Sequence, residues 1–263
     1  SQDFHYPKAP QDNTVDTYFG TQIADPYRPL EDDNSAETER WVTAENALTR
    51  HYLDQLPQRP KLMKRLKELA NYEKVGTPFK RHGTWYVYKN NGLQNQSVLY
   101  KMDKLGGTLH EVLDPNKLSS DGTVALKSIS FSHNGRYMAY IVSRNGSDWQ
   151  EIYVRDLETG QDLTDHIEWA KFSNASWRGD GFYYSAYDAP TGHAFTSKNE
   201  VHKIYYHKLG TPQNEDELFY QNPAFPLRFY DVMVNKEETV MYLTESGEGS
   251  GNNLFVRDLR RPD

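Results

Sequence analysis

A short motif that occurs four times constrains this fold more than any other feature. EIYVRDL at 151–157 has variants in VLYKMD (98–103), KIYYHKL (203–209) and NLFVRDL (253–259). The central aromatics, Tyr100, Tyr153, Tyr205 and Phe255, recur with a period of about 50 residues, within the range of β-propeller blades. Each copy alternates apolar and polar positions and then meets a charge or a turn, the pattern of a half-buried strand. One such unit cannot bury both of its faces, but stacked neighbours can.

The context of each copy fits four antiparallel strands per blade: a turn, a tyrosine-bearing strand, a loop, the motif and a hairpin. The repeats cover about 78–115, 126–165, 167–218 and 229 onward, and the fourth lacks a clear last strand. Gly83, Gly135 and Gly181 stand just before the tyrosine strand in three repeats, where a tight hairpin needs positive φ. Glu238 stands there in the fourth, whose turn should differ. Hydrophobic content is only 37%, yet aromatics reach 13%, which suits short strands with aromatic packing between sheets. The fold class is therefore mainly β.

Residues 1–72 differ in character. Residues 1–30 are polar and proline-marked and are expected to form an extended arm with one short strand near 17–23. Asn34, with Glu37 three residues on, resembles a capping box that opens a helix. Trp41, Ala44, Leu48, Tyr52 and Leu56 give it an apolar stripe, and Pro57 ends it. Pro60 suits the first turn of a second helix striped by Leu62, Met63, Leu66, Leu69 and Ala70. The expected division is a two-helix arm at 1–72 and a propeller portion at 73–263.

Several chemistries are excluded or disfavoured. Without cysteine there is no disulfide, thiolate ligand or cysteine nucleophile. A net charge of −7 without a basic patch argues against nucleic acid and anionic membranes as partners. No run approaches a membrane span. The start at Ser-Gln-Asp leads to the expectation of a processed or engineered N-terminus and a soluble, periplasmic or secreted rather than cytoplasmic protein. No Gly-x-Ser-x-Gly elbow occurs, and GEGSG at 247–251 is read as a hairpin turn. The nine histidines lack metal-site spacing. His202 and His207 flank one strand and are expected at the surface or in loops. Asp114, Asn116, Ser119 and Asp121 are read as loop caps. No cofactor, metal site or catalytic residue is expected in this chain. Phe172, taken alone, is more often blade core than ligand wall.

A set of ordered motifs adds a family resemblance: TYFGTQIADPYRPLED (17–32), TERWVTAEN (38–46), NNGLQNQSVLY (90–100), LDPNKLSSDGTVAL (113–126), FSHNGRYMAY (131–140), GSDWQEIYVRD (146–156) and KFSNASW (171–177). Together they resemble the N-terminal part of the prolyl oligopeptidase family, serine peptidases in which a seven-bladed propeller caps an α/β-hydrolase domain. Pro29 stands where that family usually has Trp. The resemblance implies a partial seven-bladed propeller of about four blades, preceded by a helical arm belonging to the shell of the catalytic domain. It implies an endopeptidase that cuts short peptides after proline, with its nucleophile, aspartate and histidine in a C-terminal domain outside this sequence. The chain alone would be inactive. The implied partners are a proline-containing oligopeptide and that hydrolase domain. In the family the phenylalanine of the KFS motif, here Phe172, lines the substrate pocket. Phe229 takes the neighbouring position or packs in the core. Asp148 holds an arginine of the hydrolase domain or caps its own turn. Two other readings stand beside this one. A stand-alone propeller scaffold for protein interactions would lack the Gly-His…Trp-Asp signature of WD repeats. A five-bladed glycoside hydrolase would need Asp148 and Glu151 as its carboxylate pair.

Overall fold

The computed structural model describes residues 3–190, 199–247, 249 and 251–261. The described residues divide into two compact units, one holding 3–71 with Pro190 and the other 72–189 with those from 199 onward.

In the first unit, β1 (Val15–Tyr18) and β2 (Thr21–Ala24) form an antiparallel hairpin. Phe19 and Gly20 both take positive φ between them, as a two-residue hairpin turn requires. The single strand expected near 17–23 is thus two strands with a reversal in the middle. Helix α1 (Ala36–Asp54) is capped by Ser35, whose side chain accepts from Thr38 N–H. The expected Asn34 cap is one residue early: the side-chain amide of Asn34 donates to the Asp33 carboxylate, outside the helix. The helix ends before Leu56, which falls in the link to α2 (Arg59–Ala70), where Pro60 sits in the first turn.

The second unit is a series of antiparallel meanders. Blade one holds β3 (Lys74–Val75), β4 (Phe79–Arg81), β5 (Thr84–Asn90), β6 (Val98–Met102) and β7 (His110–Leu113). β3 and β4 both pair with β5, so the first strand of this blade is one strand interrupted midway. Blade two is β8 (Val124–Phe131), β9 (Tyr137–Arg144), β10 (Gln150–Asp156) and β11 (Asp162–Ala170). Blade three is β12 (Ser176–Arg178), β13 (Gly181–Ala186), β14 (Lys203–Lys208) and β15 (Glu217–Tyr220). Blade four shows β16 (Phe229–Val234), β17 (Val240–Ser246) and β18 (Asn253–Asp258) among the described residues. The recurring motif is the third strand of every blade: β6, β10, β14 and β18.

The core lies between blades, and strand alternation builds it. Met138, Tyr140 and Val142 of β9 pack with Tyr86, Leu99 and Leu113 of blade one. The alternate residues Ala139 and Ile141 pack with Trp177, Phe182 and Tyr184 of blade three. In β13 the odd residue Tyr183 turns instead to Tyr230, Val232, Met241 and Leu243 of blade four. Each strand thus serves two interfaces, and tyrosine supplies the bulk that a chain poor in aliphatics lacks. Polar stitches join the blades where their backbones are unpaired. Gln96 donates to Val124 O at 2.7 Å and accepts from Leu126 N at 2.8 Å. Trp177 Nε1 donates to Ser130 O at 3.0 Å, and Ser185 Oγ donates to Tyr230 O at 2.7 Å.

The hairpin glycines behave in two ways. Gly83 and Gly135 take positive φ as expected. In blade three the left-handed residue is Gly179, not Gly181. Gly181 is needed for space, since a Cβ there would lie 2.0 Å from His207 O. Glu238 adopts φ 55°, so the fourth turn keeps the left-handed residue of the others instead of differing. Among the described residues, no helix is long and apolar enough to cross a membrane.

Candidate functional site

Because the strands alternate in direction, the loops after β9, β11, β13, β15 and β17 gather at one end of the blades. Asp148, Phe172 and Phe229 all lie at this end. Phe172 is in the connection from β11 to β12, and Phe229 opens β16. Their ring centroids are 4.6 Å apart and tilted by 54°. Phe172 is 52% exposed, so this aromatic pair presents a face to solvent rather than filling the core. Asp148 is exposed on the separate β9–β10 turn. Its neighbour Trp149 links that turn to the pair: Lys171 Nζ lies 4.6 Å from the Trp149 ring centre and 5.9 Å from that of Phe172.

Phe172 is held in a conformation it would not choose. Its φ is 51°, in the left-handed region that a bulky side chain disfavours. Hydrogen bonds on both sides hold it there. Lys171 N–H donates to Ser185 O at 3.2 Å, and Ser173 N–H donates to Gln150 Oε1 at 3.0 Å. Ser173 Oγ in turn accepts from Ser185 N–H at 2.9 Å. Trp169 and Val201, also at this end, share the left-handed conformation. Such strain persists only where the surroundings over-determine it, and it gathers at binding and catalytic sites.

On the Phe229 side, Arg228 donates to the buried Glu245 carboxylate at 2.7 Å and lies 3.5 Å from the Phe225 ring centre. Glu245 also accepts from Asn253 Nδ2 at 2.8 Å, and these bonds hold its carboxyl below the usual range.

His202 and His207 are fully buried, which corrects their expected surface position. Neighbouring blades cover both faces of β14, and its pairing with β15 shifts register between Ile204 and Tyr205. Period-2 reasoning therefore could not tell in from out on this strand. His202 sits among the aromatics, 4.9 Å from Tyr187 between ring centres. Burial pushes its imidazole down to about 4, keeping it neutral. His207 lies away from this end, between Asp165 and Asp216, at 2.6 and 2.7 Å. Burial opposes its charge, but the bonds to Asp216 and Asp165 prevail and raise it above the usual histidine value.

Other candidate chemistry resolves into structure. Glu151, His166 and Glu168 bring ligand-type atoms within 4.8 Å of one another. The Glu151 carboxylate is already engaged by Arg144, by His166 Nε2 at 2.7 Å and by Tyr153 Oη at 3.1 Å. Burial disfavours its charge, yet the bonds from Arg144 and His166 keep it ionised. That engagement also removes Glu151 as a free partner of Asp148 in a glycosidase pair. Asp114 and Asp121 cap their own loops, accepting from Asn116 N and Thr123 N. Gly247, Gly249 and Gly251 take positive φ between β17 and β18; Glu248 and Ser250 of that stretch lie outside the described residues. Among the described residues, the imidazoles of His133, His166, His202 and His207 bond to backbone groups or carboxylates.

The family model described as "Prolyl oligopeptidase, N-terminal beta-propeller domain" matches residues 7–263. The prolyl endopeptidase of Elizabethkingia meningoseptica is 44% identical over 257 residues, 97% of this chain and 36% of its own. That of Elizabethkingia miricola is 42% identical over 262 residues, covering 99% of this chain and 37% of its own. Among solved structures, prolyl oligopeptidase B of Galerina marginata, bound to a hydrolysis and macrocyclization substrate, matches with a TM-score of 0.76 at 32% identity. That match covers 97% of this chain and 39% of the other. The chain therefore spans little more than a third of the length of these relatives.

Proposed function

This chain belongs to the prolyl oligopeptidase family, matching its N-terminal β-propeller portion, and from that premise we propose that it gates and lines the substrate pocket of a serine endopeptidase that cuts short peptides after proline. The observation that carries this reading is the exposed, strained Phe172 packed on Phe229 at the loop end of the blades. Two rigid aromatic faces offer a peptide large apolar contact at low entropic cost, and a proline ring is flat enough to lie against them. Asp148, on the same end, is suited to hold an arginine of a hydrolase domain.

The Ser, His and Asp of acyl transfer would come from a C-terminal α/β-hydrolase domain. The 263-residue chain by itself would then bind but not cleave. The test is a chromogenic Gly-Pro reporter, assayed with the 263-residue chain and with the full-length protein. Turnover by the full-length protein alone is expected. Full peptidase activity in the 263-residue chain would overturn the assignment.

A further inference from the structure

His202 lies immediately before β14, with its side chain fully buried. Its Nδ1 accepts from Tyr230 N–H at 2.8 Å, and its Nε2 lies 2.7 Å from Lys171 O. A backbone N–H can only donate and a carbonyl can only accept. The two partners therefore dictate the tautomer: a proton on Nε2, a lone pair on Nδ1 and no net charge. Lys171 directly precedes Phe172, and Tyr230 directly follows Phe229. One ring thus bridges the two backbones that carry the aromatic pair. The ring also backs the pair edge-on, 6.2 Å from Phe172 and 6.0 Å from Phe229 between centres. The segment bearing it is pinned in turn. Val201 takes φ 60°, and its N–H donates to Pro226 O at 2.8 Å, in the connection that leads to Phe229.

We propose that His202 is a positioning residue for the aromatic surface: its neutral, Nε2-protonated imidazole clasps Lys171 and Tyr230 and so sets the spacing of Phe172 and Phe229. This assignment of purpose rests on reading that surface as the peptide-binding wall. The ring spacing decides how much of a bound side chain both phenylalanines touch. The clasp therefore acts on binding, not on bond breaking. Removing the imidazole would leave a buried N–H and a buried C=O without partners and free the two backbones to drift. Glutamine can replace it in kind, because its amide also offers one acceptor and one donor.

The test uses the 263-residue chain labelled with 15N-histidine and 13C-phenylalanine. For His202 we expect a protonated Nε2 and a bare Nδ1 at neutral pH, and a nuclear Overhauser contact between the Phe172 and Phe229 rings. That contact should vanish in His202→Ala and persist in His202→Gln. In the full-length enzyme, His202→Ala should raise KM for a proline peptide about tenfold, with the loss in KM rather than kcat, and His202→Gln should restore most of it. An Nδ1-protonated or doubly protonated ring, or an intact ring contact in folded His202→Ala, would overturn the clasp. If His202→Ala does not fold, the wild-type tautomer and the glutamine variant decide. If Phe172→Ala leaves peptide affinity unchanged while His202→Ala still separates the rings, the clasp stands and the peptide-wall reading fails.

Discussion

His207 Nε2 lies 2.6 Å from Asp165 Oδ2, a buried contact that ties β14 of blade three to β11 of blade two. The other ring nitrogen reaches Asp216, whose second oxygen accepts from Tyr184 Oη at 2.5 Å. In its protonated form the imidazole donates to both carboxylates and offsets their charge inside a dry interface. The two blades are thus joined by an ionic bridge as well as by apolar contact.

Removing that bridge should be costly. His207→Ala leaves two buried carboxylates facing each other and is expected to destabilise the chain by about 3–5 kcal/mol. His133→Ala loses one contact to Trp177 O, at 2.9 Å, and should cost about 1 kcal/mol. Urea unfolding midpoints of the two variants check the contrast, and equal losses would refute it.

The two buried histidines should tilt stability in opposite directions with pH. His207 is raised above the ordinary 6.5, so its contribution is complete below that value and is lost as pH rises through its folded pKa. His202 is lowered to about 4, so its contribution is complete above 6.5 and is lost as pH falls toward 4. The His202 part amounts to about 3 kcal/mol. Denaturation midpoints measured across pH should show the acid limb flattened in His202→Gln and the alkaline limb flattened in a His207 variant.

Gly181 and Gly83 should respond differently to the same substitution. Gly181→Ala drives a methyl to 2.0 Å from His207 O, between paired strands that cannot part. A loss of about 3 kcal/mol or more, or failure to fold, is expected. Gly83→Ala meets open space and pays only for its left-handed backbone, about 1–2 kcal/mol. Thermal unfolding of both variants distinguishes crowding from backbone strain.

Phe172→Ala should separate binding from stability. The ring is half exposed, so its loss should shift the unfolding free energy by less than about 1 kcal/mol. Peptide affinity in the full-length protein should fall about tenfold. A large stability loss with unchanged affinity would return Phe172 to the role of a core residue.

β18 should make the chain associate. Leu254, Phe255 and Val256 are each more than half exposed, and among the described residues β18 pairs only with β17. An open strand edge beside apolar surface invites pairing with another copy. Light scattering should show mass rising with concentration, and Phe255→Lys with Val256→Lys should suppress it. A wild-type monomer at high concentration would count against this.

The repeating motif, the tyrosine strands and the positive-φ demand at Gly83 and Gly135 were legible in the sequence because each depends on near neighbours along the chain. Strand period and turn chemistry are local, so the blade as a unit and its antiparallel order could be read from a few residues at a time. The helix cap at Ser35, displaced by one residue from Asn34, marks the limit of that reading, since adjacent polar residues compete for the same orphan N–H groups. Asp148, Phe172 and Phe229 were named from the family motif, but no local pattern says that Phe172 and Phe229 touch or that Phe172 is held at positive φ. Those facts, with the burial of His202 and His207, arise where strands of different blades meet, and the need for space at Gly181 arises against its partner strand β14. Sequence determined the elements and their order; tertiary structure alone decided which polar groups were sealed from water and whom they then had to bond, because an unpaired buried donor or acceptor is penalised only after packing has removed the solvent.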